Sequence, residues 1–421
     1  MEPKIRLKGF FGEWGKAPFS ETFDSLKNNS LSRAELSDCG EVKNIHYGDV
    51  LVKYGECVDV NKDVETFVKD KEVAKKLHLS CAIKNGDIIF ADAAEDNTVG
   101  KCSEVIANEG DAIVSGLHTI ACRPKKDFAP MYLGYYLNSN AYHDQLLPHI
   151  QGTKISSISK KAICQTEISF PTDKNEQQAI ASYFQHLDSL IQSTTKKVES
   201  LKQVKTASLQ SMFPLEGETT PRVRFKGFEG EWEKVSLKKY AKRINRKNKN
   251  MESTLALTIS SIDGLVSQID YFNNLVVGAN LANYYLLKNG EFAYNKSYSK
   301  GYPFGSVKRL DRYDQGILST LYIVFSINDE ISSDYLARFF DTTLWHKQVA
   351  ERAEEGARNH GLLNIGADDF MTIDIVVPKS LDEQQKIADY FTNLDSQITL
   401  QTQRLEKLKQ IKSACLDNMF V

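Results

Sequence analysis

The chain has 421 residues, 41% of them hydrophobic and 26% charged, with a formal net charge of −2. That length implies two or three domains, and no apolar run approaches the ~18–20 residues of a membrane span. The start MEPKIRLKGF lacks a signal core, and seven scattered cysteines without C-x-x-C spacing read as reduced thiols in a cytoplasm, without disulfides or zinc.

The first element is the opening PKIRLKGFFGEW at 3–14, which returns as PRVRFKGFEGEW at 221–232, 8 of 12 positions identical. A body follows each opening. The bodies have diverged but share landmarks: IKNGDIIFAD (83–92) with LKNGEFAYNK (287–296), and MYLGYYLNS (131–139) with DYLARFFDT (334–342). QGTKISSIS (151–159) stands opposite EGARNHGLLNI (355–365), each before a strand ending in Pro171 or Pro378. Short alternating strands, Gly-Asp or Gly-Glu turns and one or two helices give an α/β (α+β) class.

Each half closes on a long helix, at 175–214 and 382–421, sharing 21 of 40 positions at an offset of 207. Asn175 and Asp382 are the expected N-caps. The seam runs Ile180, Phe184, Leu187, Ile191, Val198, Leu201 and Met212. Its copy runs Ile387, Phe391, Leu394, Ile398, Leu405, Leu408 and Met419. Polar residues interrupt both seams at matching places, Thr194 with Gln401 and Lys205 with Lys412, a usual register device. A seam on an isolated helix would stay wet, so the expectation is one intramolecular pair, antiparallel and pseudo-two-fold, each helix about 57 Å long at 1.5 Å per residue. The chain is then a tandem duplication: domain 1–174, helix 175–214, linker 215–220, domain 221–381, helix 382–421.

The two openings, the KNGD/KNGE turns, the strand-Pro-x₃₋₄-EQQ-I junctions and the duplicated helices resemble the specificity subunit of a Type I restriction–modification system, over essentially the whole chain. The resemblance implies two target recognition domains, each reading one half of a split DNA sequence. It implies paired helices that act as a spacer and bind two methyltransferase (M) subunits. The charged helix flanks and the apolar Met-Phe ends, at 212–213 and 419–420, are the surfaces expected to seat them. Restriction/translocase (R) subunits would join them on double-stranded DNA. S-adenosylmethionine, ATP and Mg²⁺ would then sit on partner subunits, with no cofactor in this chain.

Basic residues number 22 against 25 acidic over 1–174, and 21 against 19 over 221–378. In the second body, KVSLKKYAKRINRKNK (234–249) has eight bases and no acid. Lys242, Arg243, Arg246 and Lys247 are phosphate candidates there, against a solvated helix face. NKSYSKGYPFGSVKR (295–309) offers Lys296, Tyr298, Lys300, Tyr302, Lys308 and Arg309, against a hairpin whose aromatics fill the core. Arg358, Asn359 and His360 carry side chains suited to guanine and adenine edges, against a loop satisfying itself. In the first body the candidates are Lys101, Lys125, Lys126, Thr153 and Lys154.

ADAAEDNTVGK (91–101) replaces the basic hairpin with acids. Asp92, Glu95 and Asp96 leave an alternative open, a DNA-binding enzyme with its own nuclease chemistry, beside loop capping or cytosine readout. His118, alone in GLHTIACRP, reads as a strand histidine. There is no Pro-Pro pair, no phosphate-binding G-x-x-x-x-G-K-[ST] loop and no metal-spaced cluster. The expected function is therefore a non-catalytic DNA reader.

Overall fold

A computed structural model of the chain describes residues 2–261, 263–272, 281–297, 301–353 and 363–421. They divide into two compact units, Met1–Thr195 with Gln403–Val421, and Lys196–Thr402. Each long helix therefore has residues in both units.

In the first unit the main sheet has the order Phe23–Ser25, Thr119–Pro124, Ile88–Ala91, Cys102–Ile106, Cys57–Asp59. Its first four strands are antiparallel neighbours, and the fifth joins in parallel. In the second unit the order is Ala241–Arg243, Ile323–Ile327, Phe292–Asn295, Ser306–Arg309, antiparallel throughout. The two sheets therefore share one strand order. A two-stranded ribbon accompanies each: Gly15–Pro18 with Glu167–Phe170, and Glu233–Ser236 with Asp374–Val377. Antiparallel pairing dominates, so of the two class labels α+β is the apt one. The first unit also has a four-stranded sheet built on Lys43–Ile45.

The KNGD and KNGE turns form equivalent corners. Gly86 and Gly290 sit at φ +82° and +83°, a region that favours glycine. The next acid closes each turn, accepting from the N–H of Lys84 or Lys288 at 2.7 Å. Each carboxylate also takes an arginine, Arg123 on Asp87 and Arg246 on Glu291. The short helices Tyr132–Leu137 and Ser333–Phe339 bury equivalent tyrosines, Tyr132 and Tyr335, in their cores.

The long helices span Lys174–Ser211 and Leu381–Asn418. Their caps fall before the predicted ones. Asp173 accepts from the Asn175 N–H at 2.8 Å, and Ser380 from the Glu383 N–H at 3.4 Å. Asn175 and Asp382 thus lie inside the first turn, because residues just after Pro171 and Pro378 are already free to turn helical. The glutamines of the EQQ motif tie each helix start to its unit. Gln177 and Gln384 are buried, donating to the carbonyls of Pro171 and Pro378 at 2.8 Å. Their amide oxygens accept from Ala129 and Ser332 N–H groups.

Within each unit the start of one helix lies antiparallel to the end of the other. In the first, Lys412 bonds Asp188 at 2.7 Å and Tyr183 meets Cys415. In the second, Lys205 bonds Asp395 at 2.6 Å and Tyr390 meets Ser208 at 2.9 Å. These contacts are the same pair of contacts at an offset of 207. The polar seam lysines thus find an acid on the facing helix, and a register slip would strand both charges. Every seam residue named above is buried or half-buried.

Candidate nucleic-acid interface

Strand pairing places specific loops at one end of each sheet. In the first unit Ala91 pairs with Thr119 and Phe90 with Cys102, so segments 92–101 and 116–118 emerge together. Ala93–Ala94 then pairs with Ser156–Ser157, which brings in the loop carrying Thr153 and Lys154. In the second unit Asn295 pairs with Ser306 and Tyr294 with Ile323, so Lys296, Gly305 and residues 319–322 share the equivalent end.

Asp92 is the hub of the first cluster. Its N–H donates to the His118 carbonyl at 3.0 Å, and its own carbonyl accepts from the Ile158 N–H at 2.9 Å. Its carboxylate lies 3.1 Å from His118 Nδ1. His118 is not the strand histidine expected from sequence. It has a left-handed backbone, φ +54°, and its ring packs edge-on against Tyr47 at 5.2 Å. Its side chain remains 51% exposed. Burial pushes the Asp92 carboxyl above the usual carboxylate range, and His118 opposes that. Nearby His46 is lowered by burial and by Arg33, and its Nδ1 accepts from the Gly48 N–H. That contact requires Nδ1 unprotonated.

Of the acids named for the nuclease alternative, Asp92 faces His118. Asp96 caps its own loop, accepting from Thr98, whose hydrogen bonds lower its pKa. Among the described residues no group of three His, Cys, Asp or Glu side chains is placed to hold a metal ion.

The other predicted contacts scatter. Thr153 and Lys154 are exposed beside the Asp92 cluster. Lys101 is turned inward, donating to the Leu51 carbonyl at 2.9 Å, and burial lowers its pKa. Lys125 and Lys126 leave the opposite end of the sheet. Lys125 bonds the Ser20 carbonyl and Asp24. Lys126 lies over the Phe170 ring and lines a cleft of about 430 Å³ with Lys84, Arg123 and Lys174.

In the second unit the basic run is neither one helix nor one face. It passes through a ribbon strand, the 3₁₀ turn Leu237–Lys239 and the edge strand Ala241–Arg243. Lys242 and Arg243 are exposed on that edge. Arg246 is held by Glu291 and the Leu286 carbonyl, and Lys247 lies 3.9 Å from the Tyr285 ring centroid. Phe292–Asn295 and Ser306–Arg309 do pair as a hairpin, and the described aromatics between them, Tyr302 and Phe304, are half-buried, with Phe304 packed on His346 against the edge of the core. Lys308 bonds Asp341 at 3.0 Å, and Arg309 bonds Asp311, Ser333 and Asp334. These two cations hold the fold and leave the candidate set. Lys296 stays near the loop end, where its ammonium donates to the Ile365 carbonyl at 3.3 Å. Tyr298, Lys300, Arg358, Asn359 and His360 lie outside the described residues.

The two α+β units thus repeat one framework and differ in the side chains at their loop ends. The chain belongs to the family of Type I restriction modification DNA specificity domains, whose model matches residues 13–203 and again 230–410. The fold agrees with a solved Type I restriction-modification S subunit from M. genitalium, at 14% identity and TM-score 0.59, over 100% of this chain and 99% of that one. It agrees also with a chain from a structural study of complex assembly and conformational transition in the type I R-M system, at 13% identity and TM-score 0.53, over 97% of both chains. No curated protein sequence matches significantly. Among the described residues no helix is long and apolar enough to cross a membrane.

Proposed function

We propose that this chain is the non-catalytic specificity subunit of a DNA methyltransferase and endonuclease complex in the cytoplasm. Each unit reads one half of a bipartite double-stranded DNA target. The helices serve as spacer and as the seat of two M subunits, to which R subunits are added. S-adenosylmethionine, ATP and Mg²⁺ belong to those partners.

One observation carries this reading. Framework contacts recur at fixed offsets, while the loop ends differ in chemistry: Asp92 and His118 in one unit, a lysine-bearing hairpin in the other. A duplicated enzyme would keep its reacting groups in both copies. A pair of readers keeps the scaffold and varies the reading side chains. A coiled-coil adaptor without DNA would not need these loop ends at all.

The apolar Met-Phe helix ends take no part in seating a partner. Met212, Phe213, Met419 and Phe420 are buried in the cores of their units. Partner docking then falls to the exposed polar flanks of the helices. Co-expression with the M subunit tests the stoichiometry by mass of the intact complex: two M copies are expected, and one or none contradicts the proposal. The isolated chain with Mg²⁺ should neither cut nor methylate DNA.

A further inference from the structure

The two units permit a position-by-position comparison at their loop ends. Ile88–Ala91 and Phe292–Asn295 are equivalent strands, each following a KNGD or KNGE corner and each central in its sheet. The next residue is Asp92 in one unit and Lys296 in the other. Both carbonyls accept a hydrogen bond from the returning segment before the last strand, from Ile158 at 2.9 Å and Leu363 at 3.0 Å. The partner strands Thr119–Pro124 and Ile323–Ile327 are equivalent too, since Cys122 and Phe325 both pair with the central and the edge strand. Counting back four residues from each gives His118 and Leu321.

We infer that Asp92 with His118, and Lys296 with Leu321, are the base-reading positions that set what each unit accepts at one step of its half-site. This rests on the DNA-reading function proposed above. The same carbonyl contact holds both positions, and a backbone contact of this kind does not demand a particular side chain there. The side chains present are nonetheless opposite in charge.

His118 tolerates a left-handed backbone, an uncommon conformation for a residue other than glycine, and strain of this kind collects at functional sites. Tyr47 and Asp92 fix the ring from two sides. With Nδ1 engaged by Asp92, Nε2 is the remaining polar atom of a ring whose side chain is 51% exposed. The Asp92 carboxylate supplies the acceptors of this pair. In the major groove it suits an exocyclic amine, adenine N6 or cytosine N4. The Lys296 ammonium carries three donors, of which one described bond goes to Ile365, and such a group suits guanine O6 and N7. Leu321 is 60% exposed, a placement that offers apolar contact to a thymine methyl.

The test is selection from a duplex library with both half-sites randomised, using the chain in its methyltransferase complex. Asp92→Asn and His118→Gln should each lower discrimination at one base pair of the first half by about 5- to 150-fold. The second half should be unchanged, which also reports a folded chain. Lys296→Met should do the reverse, relaxing a guanine in the second half. Unaltered preference in all three variants overturns the inference, as does an even loss of affinity for every sequence. A wild-type complex that selects no bipartite sequence would instead overturn the DNA-reading function itself, and this inference with it.

Discussion

The Arg6 guanidinium grips the Glu176 carboxylate with two hydrogen bonds, of 2.7 and 2.8 Å, and Glu176 is only 2% exposed. Arg6 also donates to the Gly12 carbonyl at 2.7 Å. Arg224 repeats the arrangement on Glu383 and Gly230. The opening motif therefore folds around its own arginine and locks onto the first turn of the helix in the same unit. This is why GF-x-GEW and EQQ occur together in both halves. Arg6→Ala strands a buried carboxylate, and breaking such a pair costs about 3–5 kcal/mol. Faster amide exchange over 174–184, with 381–391 unaffected, is the expected readout. Arg224→Ala should invert the pattern.

The aromatic at the end of each helix closes a core. Phe420 lies 5.7 Å from Phe184 and from Tyr136, and 6.3 Å from Trp14. Phe213 lies 6.1 Å from Trp232 and Phe391. Phe420→Ala should destabilise the first unit, although it lies at the far end of the sequence from most of it. The expected cost is about 3–5 kcal/mol, read as exchange over 132–137 and 180–187. An effect confined to residues near 420 would contradict the packing described.

Glu104 gives the first unit a pH dependence. Burial raises its carboxyl to about 7, against opposing hydrogen bonds from the N–H groups of Gly134 and Met131. An acid whose folded pKa is raised binds more protons in the folded state than in the unfolded one. Its contribution is therefore fully present below its unfolded value near 4.5 and is lost as pH rises to about 7. The loss amounts to about 3 kcal/mol by linkage. Denaturant unfolding of wild type and Glu104→Gln between pH 5 and 8 measures it. The difference between the two proteins should change by that order across the interval, and parallel curves would exclude the assignment.

Two pairs of cations should separate by phenotype. Lys242 and Arg243 stand exposed on a sheet edge, where they also discourage strand addition. Replacing both by alanine should weaken binding to all DNA alike and reduce the slope of log K against log salt by about 0.9 per lost phosphate contact. Lys308→Ala or Arg309→Ala should lower stability first, since these side chains hold Asp341 and Asp334. Salt-dependent binding beside thermal unfolding distinguishes them. A reduced slope with unchanged stability in Lys308→Ala would reverse the assignment.

The framework was legible in sequence because duplication exposes it. Glu176, Gln177, Lys205 and Trp14 recur as Glu383, Gln384, Lys412 and Trp232, and every one has an equivalent contact in its unit. The heptad seam revealed the pairing for the same reason: apolar spacing along a helix is local information. The reading surface was less legible. A run of lysines and arginines does not reveal which members face inward, and Lys101, Arg246, Lys308 and Arg309 turn out to be bonded within the fold. Nor could spacing bring Asp92 to His118, 26 residues apart, since only the antiparallel register of two strands joins them. A usable signal did exist in the alignment of the KNGD and KNGE corners, which puts Asp92 opposite Lys296.

Whether each unit reads its own half of a split target is decided by a map of methylated adenines. The chain is reconstituted with the M subunit on DNA of random sequence, as wild type and as a chimera. The chimera carries the first body, residues 15–170, from another family member, keeping both openings and both helices. The wild type should yield a motif of two short sequences around a fixed spacer, and the chimera should change one of them only. A single continuous motif, or a chimera that alters both halves together, would contradict two independent readers.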